Sequence, residues 1–254
     1  MEALERRIER LSAEVRRAAA SGDRDRASAL RAELREARRR WDESVDQLEA
    51  EVEQAVPRPG PIRTEALLPA REQVHQSLTL LGVPAAPRLI VTVHDAFYSG
   101  RLAGARLTSL RRDEERSFRS APYARPYYIC AALTADLLAP ARGLLAVSAW
   151  PMDRRIIGPL SPRVDYLTAA IRIGERIRDL SVASGESRRL LWRFAANIPH
   201  AAGSFSTMNA DEIVKAARAE LAVHEQADSE QRRAAAGRAR SQLDDAEQFF
   251  GAGL

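Results

Sequence analysis

One lysine, one cysteine and four histidines in 254 residues leave little material for the common catalytic sites. With Lys215 as the sole lysine there is no Walker A loop, no Ser-x-x-Lys pair and no lysine set beside carboxylates as some nucleases require. A lone Cys130 excludes a multi-cysteine zinc site and suits a reducing compartment. The histidines, at 75, 94, 200 and 224, lack the close spacing of a metal-binding helix. His94-Asp95 is the one suggestive doublet, and beside Phe97 and Tyr98 it reads as a histidine on a helix face, not a catalytic pair. No Gly-x-Ser-x-Gly turn occurs, and no apolar run approaches the roughly eighteen residues of a membrane span. No catalytic residue, metal or cofactor is nominated, so an enzyme is not expected. Aromatic residues are also scarce at 6%, against 29% charged and 45% hydrophobic, a balance that suits a small core carrying much exposed helix.

What is plentiful is arginine, and it is unevenly placed. The net charge of +4 resolves into −2 over residues 1–56, +1 over 57–100, +6 over 101–163, +2 over 164–208 and −3 over 209–254. The central block holds eleven arginines against five acids, which points to an anionic partner for the middle of the chain. Met1 leads into Glu2, Glu5, Arg6 and Arg7 instead of a basic start and an apolar core, so a cytoplasmic location is expected.

Leu4, Ile8, Leu11 and Val15 form a narrow helical seam of coiled-coil spacing. Ser21-Gly22-Asp23 interrupts it, and Ala27, Leu30, Leu34, Ala37 and Trp41 resume a seam continued by Val45, Leu48 and Val52. Gly22 can take a left-handed cap and Asp23 or Asp25 can start the next helix, leaving either an antiparallel pair or one helix with a weak joint. Three prolines between Pro57 and Pro61 end this arm. Further helices are expected from near Pro69 to Gly82, from Pro87 to Ser99-Gly100, and from about Ala103 to Arg119. Tyr127–Leu133 and Leu144–Trp150 then read as a hairpin around a loop holding Pro140 and Gly143. Two more helices carry Val164 to Leu180 and Leu190 to Ile198. From Asn209 the chain is helical again, but it has few large apolar residues between 222 and 242, a stretch expected to stand exposed and fray. The expected organisation is an N-terminal helical arm (1–56), a proline-rich linker (57–63), a central domain (64–160), a helical packing region (161–208) and a C-terminal helical arm with a frayed tail (209–254).

The helix over 103–119 carries the sharpest functional signal. At about 100° per residue, Leu107, Leu110 and Phe118 share an inner face. Ser109, Arg112 and Arg116 lie opposite, flanked by Arg106 and Arg119. Guanidinium forks on such a face match guanine O6 and N7, or phosphate oxygens. Asp113, Glu114 and Glu115 act against this; Glu114 falls inward near Arg111, whereas Asp113 and Glu115 flank the outer face. Tyr123, Arg125, Tyr127 and Tyr128 mix aromatics with charge, a pattern that core packing of the tyrosines also explains.

Three helices, the third basic, followed by two strands joined through an Arg142-Gly143 loop, resemble a winged helix-turn-helix domain over residues 64–160. The resemblance implies a small β-hairpin and a winged-helix-like centre, and the helical seams on either side add coiled-coil-like helices to give a mainly α fold. It places a recognition helix on 103–119, reading with Arg106, Ser109, Arg112 and Arg116, and a wing on 134–143 with Arg142 near the backbone. The implied function is non-enzymatic binding of double-stranded DNA, as in a transcriptional regulator, while the seams of the helical arms can be satisfied within one chain or between two chains as a homodimer. The competing expectation is a coiled-coil scaffold or adaptor whose basic block meets an acidic protein.

Overall fold

A computed structural model describes residues 2–37, 40, 68–100, 102–122, 128–201 and 204–252. The expected seam from Trp41 to Val52, the linker at 57–63, and Tyr123, Arg125 and Tyr127 lie outside the described residues. The chain forms two compact units, one of residues 1–63 with 192–209 and a larger one of residues 64–191 with 210–254.

In the smaller unit, α1 (Glu2–Ala20) and α2 (24–37) form a helical hairpin. Gly22 supplies the turn with a φ of 75°, a left-handed conformation that costs a glycine nothing. The Asp23 carboxylate then accepts the Arg26 amide proton at 3.0 Å and caps α2. Arg7, early in α1, lines one surface hollow with Glu36 and Arg40, so the helices run antiparallel. Their seams meet. Ile8, Leu11, Ala18, Ala27, Leu30, Leu34 and Ala37 are buried in one cluster with Trp192 and Ala196.

The larger unit is mainly helical around a three-stranded mixed sheet. Helices α3 (Ala70–Leu81), α4 (Pro87–Phe97) and α5 (Ala105–Ser120) precede β1 (Ile129–Thr134) and β2 (Pro140–Val147). After α6 (Met152–Arg155), the short β3 (Ile156–Ile157) leads to α7 (Ser161–Arg178), to α8 (Gly185–Ala195), whose residues from Trp192 onward belong to the smaller unit, and then to α9 (Ala210–Gln242) and α10 (Asp245–Phe250). The strand order is β2-β1-β3, with β1 antiparallel to β2 and parallel to β3. Because β1 is central and covered on both faces, its apolar run does not alternate, and Ile129 to Leu133 are all buried. Between α3 and α4, Ala85 forms an isolated antiparallel bridge with Leu145 of β2, closed by reciprocal amide bonds of 3.0 and 2.9 Å.

Two features differ from the sequence expectations. The hairpin loop is shorter than 134–143, because β2 begins at Pro140; Arg142 therefore stands on a strand and the loop is confined to 135–139. That loop is held down. Arg238 donates to the Ala135 carbonyl at 2.7 Å, and Ala135 and Leu138 pack with Ala235, Ala236 and Ala239 of α9. The second difference is α9 itself, whose distal half is buried at Asp228, Arg232, Ala235, Ala236 and Ala239 instead of standing exposed. Alanines allow the close approach, and a buried polar pair replaces the missing large apolar residues. Antiparallel to α7, α9 is joined to it by Arg218 to Glu175, by Arg163 to Glu220 at 2.7 Å and by Arg232 to Asp165 at 2.6 Å. The chain then turns into α10, which a reciprocal capping box of Asp244 and Glu247 opens. At its end Gly251 has a φ of 90° and lies so close to Pro140 that a side chain would overlap the proline ring.

Candidate nucleic-acid interface

The amphipathic pattern of α5 determines how it sits. Leu107, Glu114 and Phe118 are buried, and Arg106, Ser109, Arg112, Arg116 and Arg119 are exposed. The exposed set spans the side opposite the buried line, apart from Arg106, which lies on the flank. An arginine-bearing face is thereby presented on a helix whose rotation is fixed by two inner contacts. Phe118 sits in an aromatic cluster with Tyr128, Phe249 and Phe250. Glu114, only 1% exposed, faces Arg71 of α3 at 3.4 Å. Glu114 is turned inward as its helical position predicts, but the ion pair recorded for it is with Arg71, which ties α5 to α3.

Glu115 works differently. Its Oε1 accepts from Arg119 Nη2 at 2.9 Å, one turn along the same helix, so Arg119 is engaged on its own surface. Asp113 is exposed beside Arg112. Arg142 is exposed on β2, one strand removed from β1, the strand on which α5 packs. The six residues marked by the sequence are therefore all on the surface of one unit, with Arg112 and Arg116 central, Arg106 flanking, Arg119 paired and Arg142 on a separate element.

The His94-Asp95 doublet has no catalytic geometry. His94 is fully buried and stacks on Tyr98 with ring centroids 5.7 Å apart, while the exposed Asp95 carboxylate lies 3.7 Å from Nδ1. Among the described residues no group of three or more His, Cys, Asp or Glu is placed to hold a metal ion, and no helix is long and apolar enough to cross a membrane.

One polar cluster escaped the sequence reading. Arg232 donates to Asp228 Oδ2 and to Asp165 Oδ1, each at 2.6 Å, and Asp228 Oδ1 also accepts from Ser161 Oγ. Burial pushes the Asp165 carboxyl up to about 6, against the pull of Arg232. The cluster borders a surface cleft of about 270 Å³ that Gly82, Asp153 and Arg154 also line. Its charges are spent on one another, and its geometry is that of a helix-to-helix brace. Compared with known proteins, the chain matches no family model, no curated protein and no solved structure.

Proposed function

We infer that the larger unit binds double-stranded DNA without catalysing a reaction, and that α5 reads the major groove as the recognition helix of a winged-helix-like domain. The observation that carries this reading is the exposed Arg106, Ser109, Arg112 and Arg116 face on a helix anchored from behind by Glu114 and Phe118. The element order α3, α4, α5, β1, β2 supports it, and the isolated Ala85 bridge adds an extended residue between the first two helices against the second hairpin strand. The hairpin turn, packed on α9, supports it less: base contacts fall to α5, and Arg142 is left a backbone contact. Transcriptional regulation is the use that fits a non-enzymatic DNA-binding unit. Fluorescence anisotropy of a labelled duplex at low and physiological salt tests the assignment. Binding at low salt that weakens in Arg112→Ala plus Arg116→Ala supports it, and no binding at low salt removes it.

Two-fold association would present two α5 helices to successive half-sites. The α1–α2 seam closes on itself within one chain, so light scattering of the full chain tests this part separately. The length of the N-terminal helical arm favours a second reading, a coiled-coil scaffold whose basic block meets an acidic protein. A stoichiometric partner that survives nuclease treatment would select it.

A further inference from the structure

Helix α5 packs on β1, and two further contacts hold it, to α3 and to α10. The Glu114–Arg71 contact joins it to α3. Near its end, Phe118 meets the α10 rings of Phe249 and Phe250 at centroid distances of 4.6 and 5.4 Å, with Tyr128 edge-on at 5.2 Å. With six residues, α10 is too short to persist as an isolated helix. Its last carbonyls are met by Arg155, and just beyond it the Ala252 amide donates to the Leu138 carbonyl at 3.3 Å.

Arg155 is 4% exposed and has an unusual set of neighbours for a buried cation. Its Nη2 donates to the Gln248 carbonyl at 3.2 Å and to Met152 Sδ at 3.4 Å; its Nη1 donates to the Phe249 carbonyl and Cys130 Sγ, both at 3.4 Å. The guanidinium carbon lies 5.5 Å from the Phe249 ring centre. No carboxylate is among these contacts, and Nε has no hydrogen-bond partner among the described residues. Arg232, buried in the same unit, is held by two carboxylates at 2.6 Å. Burying a guanidinium is costly, and long bonds to neutral acceptors return less of that cost than short bonds to carboxylates. The closed position of α10 therefore carries a charge that water would solvate better.

We propose that α10 is a releasable clamp on α5, and that the buried charge of Arg155, without a carboxylate partner among the described residues, is what makes it releasable. Opening hydrates Arg155, lifts Phe249 and Phe250 from Phe118, and uncovers Cys130, the only thiol in the chain. With the rear of α5 loosened, its arginine face loses its fixed orientation. This coupling rests on the DNA-binding reading above, whereas the clamp itself does not.

The thiol reagent DTNB, applied to the full chain, reads the clamp directly. Cys130 in the wild-type protein should react through an opening with a urea dependence well below that of global unfolding. Arg155→Met should slow the reaction roughly tenfold by removing the buried charge, and Arg155→Lys, which keeps the charge, should stay near the wild-type rate. Phe249→Ala should accelerate labelling and weaken duplex binding roughly fivefold without changing the helical circular-dichroism signal. Labelling of the wild-type protein only through global unfolding overturns the clamp, as does a folded Arg155→Met that reacts as fast as wild type. Should Arg155→Met fail to fold, the wild-type urea dependence decides. Faster labelling of Phe249→Ala with unchanged duplex affinity overturns the coupling alone. A wild-type protein that binds no duplex overturns the DNA reading and leaves the thiol result standing.

Discussion

Arg232 of α9 and Asp165 of α7 share a 2.6 Å hydrogen bond in which both side chains are nearly out of solvent. The same guanidinium holds Asp228, so one positive charge serves two buried carboxylates. Removing it would leave two like charges facing each other with little water to screen them. Arg232→Met is expected to cost about 3–5 kcal/mol, far more than loss of an exposed pair. Urea unfolding measures this. A cost within about 1 kcal/mol of that for Arg218→Met, at the more exposed pair with Glu175, would show that the brace carries no special weight.

The burial of Asp165 sets a pH dependence. Burial first, opposed by Arg232 and assisted by Asp228, raises the Asp165 carboxyl from 3.8 to about 6 in the folded protein. The folded state thus binds this proton more tightly than the unfolded chain. The resulting stability is complete below about pH 4 and is lost as pH climbs through about 6, a contribution of roughly 1–3 kcal/mol. Asp165→Asn keeps an acceptor for Arg232 and removes the titration. Its stability should fall less than that of wild type between pH 5 and 8, and an identical fall in both proteins would exclude Asp165 as the source.

A second brace between the same helices is steric. A Cβ on Gly174 of α7 would lie 2.5 Å from Val214 Cγ2 of α9, which allows no side chain without movement. Alanine would gain about 1 kcal/mol of helix propensity, but overpacking costs about 1–3 kcal/mol. Gly174→Ala should lower the melting temperature, and adding Val214→Ala should restore part of the loss. A single variant as stable as wild type would show that α7 and α9 can separate freely at this point.

Much of this architecture was legible where local signals were strong. Pro69 and Gly82 bracket α3, Pro87 opens α4, and the apolar spacing in α5 identifies the side that is buried. Local signals stop there. The two residues of β3 are too few to show a period, and their parallel pairing with β1 joins residues far apart in the chain. The distal half of α9 looked solvent-exposed because alanine and an Asp228–Arg232 pair one turn apart fill its contact face, a composition equally natural on a surface helix. At the candidate interface, the exposed arginines followed from helical periodicity, whereas the Arg71 anchor of Glu114 lies on another helix and leaves no pattern.

His94 offers a test of the interior beneath α4. It is fully buried, and neither ring nitrogen is hydrogen-bonded among the described residues. An unsatisfied buried polar group costs about 1–3 kcal/mol. His94→Phe removes both nitrogens and retains a ring against Tyr98, so it should raise the melting temperature by several degrees. A lower melting temperature would mean that the pocket needs the smaller ring or a polar contact of the imidazole.

The pairing within α5 orders the expected effects on duplex binding. Arg112 and Arg116 are exposed near the centre of the basic face, so replacing either by alanine should reduce affinity and lower the salt slope by about one unit if it contacts phosphate. Arg119 is bonded to Glu115 at 2.9 Å and must give up that bond to reach DNA, so Arg119→Ala should cost less than either. Glu115→Gln removes the competing charge and frees Arg119. Affinity should then rise by roughly threefold to tenfold and the salt dependence should steepen, since an added cation–phosphate contact releases one more counterion. Anisotropy titrations at three salt concentrations separate these outcomes. Equal losses for Arg112→Ala, Arg116→Ala and Arg119→Ala, with no gain from Glu115→Gln, would describe a diffuse basic surface instead of a reading face.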